Sequence, residues 1–138
     1  MESEAIVRVM TAPNTHLGID PRLCGEPLAL EEGAASARFV ATAEMAADDR
    51  GLVHGGFVFG LADHAAMLAV NDPFVVLGSA DVRFTAPVRV GDEVIATARR
   101  LEQKGKKHVL EVRATVGERT VLEGTLTAFV LARHVLDG

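Results

Sequence analysis

The stretch HGGFVFGLADHAAMLAVNDP, residues 54–73, decides how the rest of the chain must be arranged. Over residues 56–70 its side chains are apolar on every side of a helix, interrupted only by Asp63 and His64. A helix of that kind cannot keep one face in water; it belongs inside a core or wrapped by a sheet. Asn71-Asp72-Pro73 supplies its stop, because proline cannot continue the helix and disfavours helical backbone in the residue before it. Gly55 and Gly56 stand at its start, where the absent Cβ lets another group approach the backbone closely.

Working outward, residues 14–26 with the nearby Pro13, Gly18, Pro21 and Gly25 read as a short helical turn followed by loop. Residues 26–44 hold two short strands. In the first, Leu28 and Leu30 alternate with Ala29 and Glu31. In the second, Ala35, Ala37, Phe39, Ala41 and Ala43 take one face, and Ser36, Arg38, Val40, Thr42 and Glu44 the other. Asp48, Asp49, Arg50 and Gly51 form a polar loop. Beyond the helix the period changes from 3.6 to 2. Residues 74–88 alternate Ala80, Val82, Phe84 and Ala86 against Ser79, Asp81, Arg83 and Thr85. Val90-Gly91-Asp92 turns the chain, residues 93–100 make a strand, and Lys104-Gly105-Lys106-Lys107 makes a hairpin turn. Residues 108–116 and 120–133 complete the series. Four consecutive strands joined by tight turns predict an antiparallel meander. The class is therefore α+β, one antiparallel sheet wrapped around one central apolar helix. A sheet covered by one helix has an outer side and edges in need of partners, which predicts an oligomer.

The chain of 138 residues suits a single domain over residues 1–138. Trp and Tyr are absent, so the core must come from small and branched aliphatics plus six Phe. The net charge of −5 excludes a global field for nucleic acid and leaves any basic patch local. Cys24 is the only cysteine, which rules out an intrachain disulfide and fits a reducing compartment. The N-terminal MESEAIVRVM carries acids where a secretory signal carries cations. His54, Asp63 and His64 interrupt the most apolar segment, residues 51–70, against a membrane span. The expectation is a soluble, cytoplasmic protein.

Chemistry concentrates in residues 54–63. The amides of Gly55 and Gly56, at a helix N-terminus, have no acceptor inside the helix, and the helix dipole favours negative charge there. Such amides stabilise a carbonyl oxygen as it becomes an oxyanion. Asp63 lies seven residues after Gly56, two turns on and roughly on the same face. Its neighbours Leu61, Ala62, Ala65, Ala66 and Leu68 argue against a solvated position. An unpaired buried carboxylate costs several kcal/mol or raises its pKa, which marks a site candidate. His54 fixes the loop through side-chain hydrogen bonds or shuttles a proton. His64 points about 100° away from Asp63 and cannot share its role easily. A metal site built from His54, Asp63 and His64 is geometrically awkward, so none is expected. Cys24 has no basic partner nearby in sequence and reads as a buried or loop thiol.

The segment HGGFVFGLAD, residues 54–63, resembles the signature of the PaaI-type hotdog acyl-CoA thioesterases in residues, histidine-to-aspartate spacing and placement before the central helix. The likeness continues through SADVRFTAPVRVGDEV, residues 79–94, and covers the chain from about Leu28 onward. The resemblance implies a hotdog fold and hydrolysis of an acyl-CoA thioester to a carboxylic acid and free CoA, with no cofactor beyond the coenzyme A of the substrate. It implies that the Gly55 N–H polarises the carbonyl, that Asp63 acts as general base for water or as nucleophile, and that Ser79 holds the water. It further implies a homodimer or a dimer of dimers, with Gly55 and Asp63 of one site coming from different subunits. Several members place Asn six residues before the motif histidine, where this chain has Asp48. Coenzyme A needs cations for its phosphates. Lys104, Lys106 and Lys107 on one turn, with Arg83 and Arg89, are the candidates, although a lysine-rich turn is equally a solvated hairpin. Gly56 completes the substrate-binding set.

A second reading is a sensor. The effector domain of the malonyl-CoA-responsive repressors of fatty-acid synthesis is also a hotdog, and SADVRF, residues 79–84, resembles its corresponding strand. Those domains lack an intact HGG and the helix aspartate, and they carry a DNA-binding segment for which 138 residues leave no room. A hotdog hydratase would need a catalytic histidine paired with an acid at another spacing.

Overall fold

The computed structural model describes residues 12–138; the acidic N-terminal stretch lies outside them. A four-residue helix α1 (Pro21–Cys24) leads into strands β1 (Glu26–Glu31) and β2 (Ala34–Val40) and a 3₁₀ turn (Ala43–Met45). The central helix α2 (Gly55–Val70) follows, and then β3 (Val75–Phe84), β4 (Glu93–Lys104), β5 (Lys107–Val116), β6 (Arg119–Val130) and a last 3₁₀ turn (Val135–Asp137). Helix α2 starts at Gly55, one residue earlier than its periodicity predicts, and ends on Asn71 in the left-handed conformation (φ 54°), whose N–H donates to Met67 O. Asn tolerates that backbone because its short polar side chain bonds locally. Here Asn71 Oδ1 accepts from the Asn14 amide at 2.7 Å and Nδ2 donates to Ala12 O at 3.1 Å.

The six strands form one antiparallel sheet in the order β1-β2-β4-β5-β6-β3. The predicted four-strand meander is corrected by this order: of its four strands only β4, β5 and β6 are consecutive neighbours, while β3 crosses to the far edge and pairs with β6. The reason lies in residues 85–92, which form no tight hairpin. They bond instead to the loop before α2, with Val53 N–H donating to Val88 O and Val90 N–H to Gly51 O, both at 2.9 Å. That tether carries the chain across the N-terminal end of the helix and places β3 and β4 at different positions in the sheet.

The pleat sorts the residues as the alternation predicts. Ala35, Ala37, Phe39, Val94, Ala96, Leu110, Val112, Leu122 and Leu126 are buried toward α2. Alanines on the sheet meet Ala62, Ala65, Ala66 and Ala69 on the helix, all buried. Small side chains on both surfaces let helix and sheet approach, and Leu61, Met67 and Leu68 fill the remaining volume with no exposure. Truncating one such leucine to alanine costs about 3–5 kcal/mol.

The two sheet edges differ. Strand β1 is short and carries Pro27 at a register shift, with Glu26 and Glu31 exposed, devices that blunt an edge. Strand β3 is ten residues long, has no neighbour on its outer side among the described residues, and is exposed over residues 78–81. Among the described residues no helix is long and apolar enough to cross a membrane.

Candidate active site

The start of α2 is held by backbone bonds. His54 N–H donates to Met45 O at 2.9 Å, and Phe57 N–H to His54 O at 3.1 Å. Gly55 and Gly56 occupy the first two helical positions, where no acceptor exists within the helix. The His54 side chain makes no capping bond to the helix. Its imidazole lies over Gly56, where an added Cβ would stand 2.9 Å from Nε2, and meets the Phe57 ring edge-on at 6.1 Å. Phe84 lies over Gly55 in the same way: a Cβ there would stand 3.4 Å from its ring.

Asp63 sits two turns further along, half-buried, with Oδ1 enclosed and without a hydrogen-bond partner among the described residues. Burial penalises its charged form and raises its pKa from 3.8 to about 6. Cys24, on α1, has its thiol pKa raised by burial first and then by the charges of Asp20 and Asp63. His64, the next residue, is buried and shares a hydrogen bond at 3.1 Å with Cys24 O, stacking on His16 at 6.1 Å. It braces the chain around Cys24 and does not titrate with Asp63. Burial lowers its pKa, as it does for His16.

Along the helix axis, Gly55 and Asp63 are roughly 12 Å apart, eight residues at 1.5 Å each. One carbonyl oxygen therefore does not touch both groups of the same helix directly.

The other predicted residues scatter. Ser79 pairs with Thr127, whose neighbours Leu126 and Ala128 are buried toward α2, so Ser79 points to the outer face and is not brought to Asp63 within the chain. Arg83 pairs with Glu123 on that outer face and lines a polar trough of about 710 Å³ with Thr97, Arg99, Glu111 and Arg113. Lys104 and Lys106 lie at the β4–β5 turn, beside Val130 and the start of β3, at the opposite end of the sheet from Gly55. Arg89 belongs to the tether before β4. Asp48 is a loop residue, its Oδ1 accepting from the amides of Arg50 at 2.9 Å and Leu52 at 3.1 Å. Among the described residues no three His, Cys, Asp or Glu side chains gather as metal ligands.

Two features escaped the sequence. One is the Phe84 ring on Gly55. The other is a cavity of about 390 Å³ beside it, lined by Val53, Val58, Phe84, Ala86, Pro87 and Val121. The apolar face of residues 80–86 was the available signal, but not the element it would meet.

The family model described as Thioesterase superfamily matches residues 50–123, which include α2 and both glycines. Among relatives, "Methylthioribose-1-phosphate isomerase" of Aquifex aeolicus is 51% identical over 85% of this chain but 26% of its own length. "Transcription factor FapR" of Caldanaerobacter subterraneus is 28% identical over 81% of this chain and 56% of the relative. The chain thus spans from about a quarter to about half the length of these curated relatives. Among solved structures, an uncharacterized protein from Pyrococcus horikoshii is 50% identical with a TM-score of 0.91, covering 92% of this chain and 98% of that one. A mutant of the phenylacetic acid degradation protein PaaI from Thermus thermophilus is 29% identical with a TM-score of 0.72, covering 79% and 95%.

Proposed function

Because the chain belongs to the thioesterase superfamily and has the hotdog fold, we propose that it hydrolyses an acyl-CoA thioester to a carboxylic acid and free CoA. The observation that carries this reading is the enclosed carboxylate oxygen of Asp63, without a partner among the described residues and with a pKa near 6, on a helix that opens with two glycines whose amides have no acceptor inside the helix. A carboxylate with a pKa in that range is ionised at neutral pH yet a stronger base than a surface aspartate, the compromise that general-base catalysis favours. In the step proposed, Asp63 accepts a proton from water while the hydroxide adds to the thioester carbon. The carbonyl oxygen becomes an oxyanion against the Gly55 N–H of a second chain, and collapse expels the CoA thiolate, which takes a proton. Attack by Asp63 itself, through an anhydride that water then opens, uses the same two groups.

The axial separation of Gly55 and Asp63 supports a second chain as the source of the amide, and the edge of β3, without a neighbour among the described residues, is where it would pair. An isologous contact there brings two β3 strands together antiparallel. The CoA phosphates would meet Lys104 and Lys106 of one chain or the other.

A second reading, acyl-CoA binding without turnover, is favoured by the similarity to a transcription factor, but it leaves the raised Asp63 without a task. Free-thiol release from a panel of acyl-CoAs separates the two. The enzyme reading expects turnover that falls by about 10²–10⁴ in Asp63→Asn, with the oligomer unchanged. Tight acyl-CoA binding with no thiol released by the wild type would establish the sensor instead.

A further inference from the structure

Resting on the reading of two chains joined along β3, we infer that Asp81 and Arg83 set the register of that contact. The two-fold axis passes at Val82, and Asp81 of each copy pairs with Arg83 of the other.

When two identical strands pair antiparallel about an axis normal to the sheet, one residue faces its own copy and the others pair symmetrically about it. Moving the axis by one residue slides one strand past the other by two, about 6.6 Å. Asp81 and Arg83 are exposed and line the same outer trough, so they share a face of β3. Neither has an ion-pair partner among the described residues. Asp81 lies opposite Thr125 on β6, and Glu123, opposite Arg83, meets Arg113 at 3.9 Å. An axis at Val82 sets Asp81 against Arg83 on both sides of it. An axis at Asp81 or at Arg83 sets like charges face to face, which is destabilising. An axis at Ala80 runs the ladder through the register shift between Leu77 and Ser79. One at Phe84 sets Asp81 against Pro87, which has no N–H to pair.

The central helix selects the same axis by a separate route. Strand β3 starts at Val75, shortly after α2 ends at Val70, and runs back to the helix start, where Phe84 lies over Gly55. Asp63 is roughly 12 Å along the helix from Gly55, which is about four residues of strand back from Phe84, at the level of Ala80. With the axis at Val82, Ala80 faces Phe84 of the second copy, a small side chain against a bulky one. Asp63 of one chain then stands level with Gly55 of the other. One step of the axis in either direction puts them out of level by about 6.6 Å. Asp81 and Arg83 are thus positioning residues: they touch no substrate, and they decide whether the two groups serve one thioester.

Two experiments on the full chain read the register without using activity. In a Cys24→Ser background, single cysteines are placed at residues 80–84, oxidised mildly, and the disulfide-linked dimer is followed on gels. Val82→Cys should cross-link at least about tenfold faster than the others, because a disulfide spans roughly 3.5–4.5 Å between Cβ atoms. A residue one place from the axis lies about 8 Å from its own copy. In the second experiment, Asp81→Arg and Arg83→Asp should each weaken self-association on the order of tenfold or more, since both contacts turn repulsive. A hybrid of the two variants regains both pairs. Differently tagged chains should therefore form hybrids well above the half that random exchange gives, and thiol release should return with them. Fastest cross-linking at another position, or at none, overturns the register. Random exchange between the charge variants overturns it as well, and decides the matter if Val82→Cys does not fold. Either result beside thiol release by the wild type leaves the hydrolysis standing. Cross-linking at Val82 in a protein whose wild type releases no thiol supports the register and overturns the hydrolysis.

Discussion

Replacing Asp63 by asparagine should make the protein more stable as well as inactive, and the size of the gain follows from its burial. The folded-state pKa is about 6 against 3.8 for a free aspartate. At about 1.36 kcal/mol per pKa unit, holding the ionised form costs about 3 kcal/mol at pH 8. The sign is that of a raised acid: the folded chain binds the proton more tightly than the unfolded one, so stability is lost as pH climbs from about 3.8 to about 6 and is constant above. At pH 4.5 the penalty is only about 1 kcal/mol, because most folded molecules carry the proton. The wild type should therefore lose about 2 kcal/mol between pH 4.5 and pH 8 that Asp63→Asn does not lose. The comparison across pH is the sound one, since the asparagine amide brings its own desolvation cost, which is the same at both values. Urea unfolding of both proteins at a series of pH values reads the difference directly. Parallel stability curves from pH 4.5 to 8 would refute the reasoning, because they would mean that Asp63 carries its charge at no penalty.

Three further outcomes follow from the site. Gly55→Pro removes the proposed oxyanion donor at a first helical position, where proline is well tolerated and where His54 already has the extended backbone that proline demands. Thiol release should fall by about 10²–10³ while circular dichroism stays helical, and wild-type turnover would exclude that amide. Mixing inactive Gly55→Pro with inactive Asp63→Asn and allowing exchange should restore activity, since hybrids hold one intact site. No recovery in demonstrated hybrids would place both groups in one chain. The kcat/KM profile of the wild type should rise with pH through an apparent pKa near 6, set by burial of Asp63, and a profile flat from pH 5 to 7 would exclude it as the base.

The parts of the fold that were legible in sequence are those governed by local rules. The all-round apolar run, the Asn71–Pro73 stop and the alternation of residues 35–39 and 108–116 each state their own element. Asp63 was legible for a related reason: a charge inside an apolar helix has no ordinary explanation. The strand order was not, because the destination of β3 depends on bonds between residues 51–53 and 88–90, and no local pattern names a partner so far along the chain. The direction in which Ser79 points was not legible for the same reason. Once β3 is moved to the far edge, its register with β6 fixes which way Ser79 points, and a shift of one residue would reverse it. Phe84 on Gly55 joins residues distant in sequence, a contact that no local pattern announces.

The unlike edges of the sheet have a consequence for assembly. A ribbon that can add copies at both margins has no natural end, and protein with two bare strands risks growing into fibres. Here growth through backbone pairing has one place to begin and none to continue. If two chains join along β3, what faces outward at both ends is β1, where Pro27 offers no N–H and the exposed Glu31 would meet its own like charge in a third copy. The number of chains in such a sheet is thereby counted to two by the sequence of its least conspicuous strand.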